Sequence, residues 1–468
     1  MTDTPGQFGV SPRSSRARRA SSPERVHRGC LPPRSLSTAP PRAPASLCVS
    51  DQGIRRAGAG VRSAAAAPPT AAMAGVPSRI RVSSMATVSM KQDPSVLAAR
   101  LGRAAETAAG ADLDALLISP GSDLRYLIGA GAGSFERLSC LVLPAAGHDA
   151  PPALVLPKLE ELGYADVPAS ELGIEVVTWV DGENPYAIVT DLLRRGGAAP
   201  ARVAVADVMP ALHTFPLRDA LPGAEQVLAG GVLRELRMRK DAAEVEALRK
   251  AGAAIDRVHA RMAEFLKAGR TEAEVGADIT EAIVAEGHVE AAFVIVGSGP
   301  NGASPHHALS DRVVQEGDVV VIDIGGPIAE GYNSDCTRTY AVGEPSQDDV
   351  RDTYAVLQAA QRAAVEAVRP GVTAESIDAA AREPIAAAGF GDFFVHRTGH
   401  GIGLDVHEDP YVVDGDKTVL EPGMAFSVEP GIYQPGRWGA RIEDIVIVTE
   451  DGVESVNNQP HELIVLPA

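Results

Sequence analysis

From about residue 94 onward, short apolar runs alternate with amphipathic stretches. "PSVLAARLGRAAETAAGA" carries apolar residues at helical spacing, whereas "LDALLIS" and "LSCLVLP" read as short buried strands with "SDLRYLIG" between them. "PALVLP", "IEVVTWV", "RVAVADV" and "AEQVLAG" continue the alternation of strand with helix or loop, which predicts an α/β domain over residues 91–232. "GAGAGS" at Gly129–Ser134 lacks the strand and helix that flank a nucleotide-binding turn and reads as a loop.

The pattern changes near "LRELRMRKDAAEVEALRKA". Asp241 is placed to cap a helix whose stripe runs Val245, Leu248, Ile255, Val258, Met262, Phe265 up to Gly269. Thr271 and Glu274 form a capping-box pair for a second helix, with Val275, Ile279 and Ile283 on one face and Gly287 at its end. Two more helices are expected between Ser346 and Ala388, opened by Ser346 and Thr373. Around them lie the strand candidates "AAFVIVGSG", "DVVVIDIGG", "DCTRTYAVG", "MAFSVEPGIY" and "ARIEDIVIVTEDG". Helices in one group and mostly antiparallel strands in another predict an α+β layered domain over residues 233–468, without an internal repeat.

Composition adds limits. A chain of 468 residues has room for two or three domains. Its net charge of −18 argues against nucleic acid and anionic membrane as partners. Cys30, Cys48, Cys140 and Cys336 form no CxxC pair, which suits a reducing cytoplasm and argues against a cysteine-ligated zinc. Residues 1–90 are rich in Arg, Ala, Pro and Ser, hold no lysine, and have only Asp3, Glu24 and Asp51 as acids. Such a segment cannot bury enough apolar surface to offset its ordering entropy and is expected to be disordered. An extension upstream of a true start at Met85 or Met90 is preferred over a transit peptide of similar bias.

The chemistry begins with "VVVIDIGGPIAEGYNSDCTRT", where Asp323 interrupts a strand of apolar residues and Asp335 follows a glycine-rich turn. An ionised carboxylate in such surroundings costs several kcal/mol unless it is paired, and no Lys or Arg adjoins it in the chain. Glu429 in "SVEPG" and Glu443 in "RIEDIVIV" are acids of the same kind, and His396, His400 and His407 crowd a glycine-rich loop. Taken singly, each has an ordinary reading as a solvated acid or a satisfied histidine. Taken together, carboxylates with one imidazole suit two divalent ions such as Mn, Co or Fe rather than a structural zinc. Two such ions would neutralise the acids and activate a water nucleophile, and they are the expected partner of Asp323.

These segments resemble the pita-bread metallopeptidases, the group of Xaa-Pro dipeptidase, aminopeptidase P and methionine aminopeptidase. The resemblance runs from about residue 95 to 468 and rests on "IDIGGPIAEGYNSDCTRT", "TGHGIGLDVHEDP", "SVEPGIY" and "RIEDIVIV". It implies a pita-bread catalytic domain behind a smaller creatinase-like α/β domain. It further implies that Asp323 chelates one metal, that Asp335 and Glu443 bridge both, and that His400 and Glu429 complete the second. Manganese(II) is the first choice, with cobalt(II), iron(II) or zinc(II) as alternates. In the same way His306 would contact substrate or the tetrahedral intermediate, with His307 the alternative. His407 would donate to the scissile carbonyl, His396 would line the pocket, and Glu429 would take and pass a proton. Arg441 would hold a ligand carboxylate and Thr337 would do so for Asp335.

Room for an N-terminal domain, and "SDLRYLIG" within it, favour the Xaa-Pro group. The implied activity is hydrolysis of the X-Pro bond at the N-terminus of short proline-containing peptides, by a cytoplasmic homodimer. A dipeptidase must hold a free proline carboxylate, which calls for a cation. Some prolidases place an arginine four residues after the counterpart of His407, but here that position is Tyr411, leaving Arg397 or Arg437 as substitutes. Dipeptidase and aminopeptidase P therefore stay level. A metal-dependent amidohydrolase of a non-peptide substrate and a non-catalytic peptide-binding relative remain as alternatives.

Overall fold

The computed structural model describes residues 92–131, 136–195, 197 and 199–468. The extension expected over residues 1–90 and much of the "GAGAGS" loop lie outside the described residues.

The N-terminal part runs α1 (Pro94–Gly110), β1 (Ala115–Ile118), α2 (Ser122–Ile128), β2 (Cys140–Pro144), β3 (Ala153–Pro157), β4 (Glu175–Trp179), α3 (Pro185–Arg194), β5 (Arg202–Val205), α4 (Ala211–Ala220), β6 (Glu225–Leu228) and α5 (Gly230–Arg237). Its six strands form one mixed sheet in the order β4-β3-β2-β1-β5-β6. The two pairs that involve β2 are antiparallel and the others parallel. The helices bury their apolar faces on this sheet, as the alternation predicted. The boundary expected at 232/233 falls inside α5, whose Val232 and Leu233 belong to this core.

The second part runs α6 (Ala242–Ala260), α7 (Met262–Phe265), α8 (Glu272–Ala285), β7 (Phe293–Ser298), β8 (Val319–Pro327), β9 (Asn333–Val342), α9 (Val350–Ala367) and α10 (Ala374–Ala387). It continues with β10 (Gly399–Gly401), β11 (Glu408–Val412), β12 (Ala425–Val428), β13 (Gly431–Gln434), β14 (Trp438–Arg441), β15 (Asp444–Val448), β16 (Val453–Ser455) and β17 (Ile464–Leu466). Four strands form a sheet in the order β17-β9-β8-β7, and five form another in the order β11-β10-β12-β15-β16. β13 and β14 make a separate hairpin. Helices α6 and α8 pack on the first sheet through Ile255, Val258, Val275 and Ile279 against Val320, Ile322 and Ile324. Helices α9 and α10 pack on the second through Leu357, Ala360, Ile377 and Ala381 against Phe426, Val428 and Val446. Two helix pairs therefore cover the outside of paired sheets, which is the pita-bread arrangement.

Capping boxes at Asp241–Glu244 and Thr271–Glu274 are both formed. Three local expectations are corrected. The helix opened by Asp241 leaves helical geometry at Arg261 (φ −99°, ψ 6°) and does not run unbroken to Gly269. Ser346 does not open α9; its N–H donates to the Gly317 carbonyl in a turn, and Asp349 is the residue before the helix. "MAFSVEPGIY" is divided between β12 and β13, which belong to different sheets.

Candidate metal centre

Strand alternation explains why acids collect in one place. Val320, Ile322 and Ile324 of β8, and Cys336, Tyr340 and Val342 of β9, face the α6/α8 layer. The odd-numbered Asp323, Asp335 and Thr337 must then face the other way, toward the second sheet. In the β8/β9 register Asp323 lies opposite Thr337 and Gly325 opposite Asp335, so the two aspartates are diagonal neighbours on one face. In the second sheet Phe426, Val428, Val446 and Val448 face α9 and α10. Glu429 follows β12 and Glu443 precedes β15, so both come from the odd-numbered set, away from those helices.

His400 arrives on β10, squeezed between backbones. A Cβ on Gly399 would collide with the Ser427 carbonyl oxygen, and one on Gly401 with that of Asp409, so both flanking positions accept only glycine. The His400 N–H donates to Ser427 Oγ (3.0 Å), and Ser427 Oγ donates to Glu429 Oε1 (3.1 Å). His400 Nδ1 donates to the Gly401 carbonyl at 3.0 Å, which leaves Nε2 as a lone pair directed into the cluster. That nitrogen is 3.3 Å from Glu429 Oε1 and 3.7 Å from Asp335 Oδ2. Burial, with His407 beside it, depresses the His400 pKa to about 3, so the ring is a neutral donor. One ligating atom each from Asp335, His400 and Glu443 lies within 4.8 Å of the others.

Asp323, Asp335, His400, Glu429 and Glu443 share one cavity of about 780 Å³ with His306, His396, Arg397, His407 and Arg441, alongside apolar Phe293, Ile295 and Val406. Arg441 is the only guanidinium paired with these carboxylates among the described residues. Its Nη2 meets Asp323 Oδ2 at 2.6 Å and its Nε lies 3.9 Å from Glu429 Oε2. Asp323 therefore has a protein partner distant in sequence, and the ligand carboxylate that Arg441 was expected to hold is that of Asp323. The other oxygen, Asp323 Oδ1, is buried without a hydrogen bond. Thr337 donates to Glu443 Oε2 at 2.7 Å rather than to Asp335, a correction that follows from the register, since Thr337 sits opposite Asp323.

Burial and mutual repulsion push Asp335 and Glu443 well above the ordinary carboxylate range. Glu429 is pushed up to about 7, mainly by burial. One guanidinium does not balance four carboxylates, and a cation at the orphaned oxygen would remove the strain. The donor set of carboxylate oxygens and one neutral imidazole fits a divalent metal.

The adjacent histidines part company. His306 lines the cavity, while His307 Nε2 lies 2.7 Å from Glu272 Oε2, which sets the alternative aside. His396 Nε2 pairs with the Tyr433 hydroxyl at 2.8 Å, and that oxygen accepts from Arg441 Nη1 at 2.6 Å. The His407 ring stands 4.1 Å from that of His400, edge to face. Arg397 lines the cavity with its guanidinium 4.5 Å over the Tyr411 ring, whereas Arg437 pairs with Asp349 and lines a different cavity. Tyr433 was missed by sequence reasoning although it closes "SVEPGIY"; a tyrosine in a strand gives no sign that its hydroxyl is enclosed by Arg441 and His396.

Comparison with known proteins follows the same division. The model of metallopeptidase family M24 matches residues 246–450, and that of the creatinase/prolidase N-terminal domain matches residues 100–239. The chain is 64% identical over 379 residues to a probable dipeptidase PepE of Mycobacterium bovis, covering 81% of this chain and 99% of that protein. It is 36% identical to an Xaa-Pro dipeptidase of Lactobacillus delbrueckii subsp. lactis, covering 76% of this chain and 95% of that one. The crystal structure of dipeptidase PepE from Mycobacterium ulcerans superposes with a TM-score of 0.77 at 62% identity, over 81% of this chain and all of that one. Sheet order, buried acids and these matches agree: the chain belongs to metallopeptidase family M24, hydrolases that use divalent metal ions, and carries a creatinase/prolidase-type domain in front of its pita-bread domain.

Proposed function

We propose that this protein is a dinuclear, manganese-preferring Xaa-Pro dipeptidase. The observation that carries the reading is the convergence of the buried Asp323, Asp335 and Glu443 carboxylates, the mostly enclosed Glu429 and one neutral imidazole on a single cavity wall. Asp323, Asp335, His400, Glu429 and Glu443 would hold the ions. Bound there, the ions would lower the pKa of the attacking water and polarise the scissile carbonyl.

The remaining roles belong to the chain's own side chains. Glu429, in the cavity wall, takes the proton of the attacking water and passes it to the proline nitrogen. His407 donates to the carbonyl oxygen; burial lowers its pKa, so it does so as neutral imidazole. His306 contacts the substrate or the tetrahedral intermediate. His396, held by Tyr433, forms part of the wall, and its pKa of about 3 keeps it uncharged beside Arg441. Arg441 and Thr337 fix the carboxylates of Asp323 and Glu443.

Arg397 tilts the balance toward a dipeptide. It is a cation in the cavity wall, stacked on the Tyr411 ring and without an ion pair among the described residues, and so suits a free proline carboxylate. The relatives named as dipeptidases support the same substrate class. An aminopeptidase P activity on longer peptides is the second reading.

We also propose that residues 91 onward form the N-terminal domain and that the catalytic domain takes over within α5, after residue 232. Short proline-containing peptides are the partners, and the working form is a cytoplasmic homodimer. Two observations support this: Cys140 and Cys336 are buried free thiols, and Leu162, Phe215 and Leu228 are exposed on the N-terminal domain. Among the described residues no helix is long and apolar enough to cross a membrane. Release of the N-terminal alanine from Ala-Pro and from Ala-Pro-Ala, with manganese added and metal content measured, tests the whole. Cleavage of Ala-Pro alone is expected. Equal cleavage of both peptides would favour aminopeptidase P, and metal binding without alanine release would overturn the assignment.

A further inference from the structure

His306 makes no hydrogen bond among the described residues, although it borders the metal-binding acids. Its placement must come from the segment that carries it, and that segment is pinned from behind by one residue outside the site. Glu272, at the first turn of α8, is fully buried. Its carboxylate accepts from Ser298 N (2.8 Å) and Ser298 Oγ (2.6 Å), from Asn301 Nδ2 (3.1 Å), from Ser310 Oγ (2.5 Å) and from His307 Nε2 (2.7 Å). Ser298 ends β7, and Asn301, His307 and Ser310 follow it in the loop that leads to β8. One carboxylate thus gathers the stretch from Ser298 to Ser310, which includes His306. Burial raises its pKa, but these hydrogen bonds prevail and hold it below the ordinary glutamate value, so the group is an anion and His307 Nε2 is its donor.

On the opposite side, the Pro305 carbonyl faces Arg441 Nη1 and Nη2, each at 3.5 Å. Arg441 is the guanidinium that holds Asp323. Residues 305–307 are therefore clamped between Glu272 behind and the Arg441–Asp323 pair in front, and turning His307 toward Glu272 leaves His306 facing the cavity.

We propose that Glu272 and His307 act as a positioning pair for His306, fixing its ring against the bound peptide through the loop rather than by touching substrate. The proposal rests on the peptidase reading above and on His306 contacting the substrate. Misplacement of a catalytic contact by about 1 Å can cost on the order of 10²-fold in rate.

The test uses full-length, manganese-loaded enzyme and Ala-Pro. His307→Ala is expected to lower kcat by about 10²-fold while leaving KM within about threefold. His307→Gln, which keeps a donor, is expected to restore most of that loss. In the His306→Ala background, adding His307→Ala is expected to cost nothing more, because the pair then has no ring to position. Melting temperature and bound manganese measured on every variant separate this from a folding defect. Full kcat in His307→Ala, or an equal loss with and without His306, would overturn the pair. Full kcat in His306→Ala would instead remove the role given to His306, and the pair with it, while leaving the metal assignment standing. Proline release absent from the unmutated enzyme would defeat the peptidase reading itself.

Discussion

Asp323 shows what one residue's surroundings decide. One of its oxygens meets Arg441 at 2.6 Å and the other is buried with no hydrogen bond, so the guanidinium answers only half of the buried charge. Around it Asp335, Glu429 and Glu443 all have raised pKa values, and a raised folded-state pKa carries a sign. In metal-free protein, the stability due to protonating Glu429 is fully present below its ordinary value of 4.5 and is lost as pH rises through about 7. Divalent cation replaces those protons, so the rise in melting temperature produced by manganese should be larger at pH 8 than at pH 5.5. Thermal shift assays across that interval check it, and a shift that shrinks toward pH 8 would contradict the cluster as the metal site. Glu429→Gln keeps the side chain's shape but removes the proton acceptor; kcat should fall by about 10²- to 10⁴-fold in steady-state assays with manganese saturating. At this scale the acids were legible because a carboxylate inside an apolar strand is anomalous in sequence. The assignment of Arg441 to Asp323 and of Thr337 to Glu443 was not, because it depends on which residues face one another across strands.

Elements deliver these side chains, and their legibility followed the range of the forces that shape them. The capping boxes at Asp241 and Thr271 were readable because each is closed within three residues. The break at Arg261 and the division of "MAFSVEPGIY" were not, since both depend on where distant chain segments pack. β10 is the sharpest case: three residues long, it carries His400 between two strands of the second sheet. Gly399 lies against the Ser427 carbonyl, where no Cβ fits. Gly399→Ala should therefore push β10 away from β12 and lengthen the His400 N–H to Ser427 Oγ contact. Overpacking of this kind costs about 1–3 kcal/mol, so the urea midpoint should fall. Weaker manganese binding should accompany it, because the His400 ring moves with its backbone. A titration showing unchanged manganese affinity in Gly399→Ala would mean that β10 does not set the imidazole.

At the scale of the molecule, two domains were foreseeable from the change in pattern, but their coupling was not, since the contacts that join them are 114 and 171 positions apart in the chain. Arg237, at the end of α5, bonds Asp123 of the N-terminal domain at 2.7 Å, and Asp405 (2.8 Å) and Glu408 (2.5 Å) of the loop that carries His407. Lys240, whose side chain is only 1% exposed, bonds Glu408 at 3.2 Å, and Ser122 donates to Asp405 at 2.5 Å. The loop that presents His407 to the cavity is thus tied to the N-terminal domain by buried charges. Burial drives the Glu408 pKa up, but Lys240 and Arg237 outweigh it and leave the carboxyl below its ordinary 4.5. A depressed pKa contributes stability above the unfolded value and loses it as pH falls through the folded one. Glu408→Gln strands Lys240 while Arg237 keeps Asp123, so at pH 7 the variant should be less stable by about 3–5 kcal/mol. Its kcat on Ala-Pro should fall as well, because His407 lies between Asp405 and Glu408 and loses its anchored neighbour. The stability gap should narrow as pH falls below the ordinary carboxylate value of 4.5 and through the lower value of the folded protein, where the unmutated carboxyl also takes up its proton. Urea titrations of both proteins from pH 7 to pH 3.5 decide the matter. A gap that stayed constant over that range would show that the charge on Glu408 contributes nothing to stability.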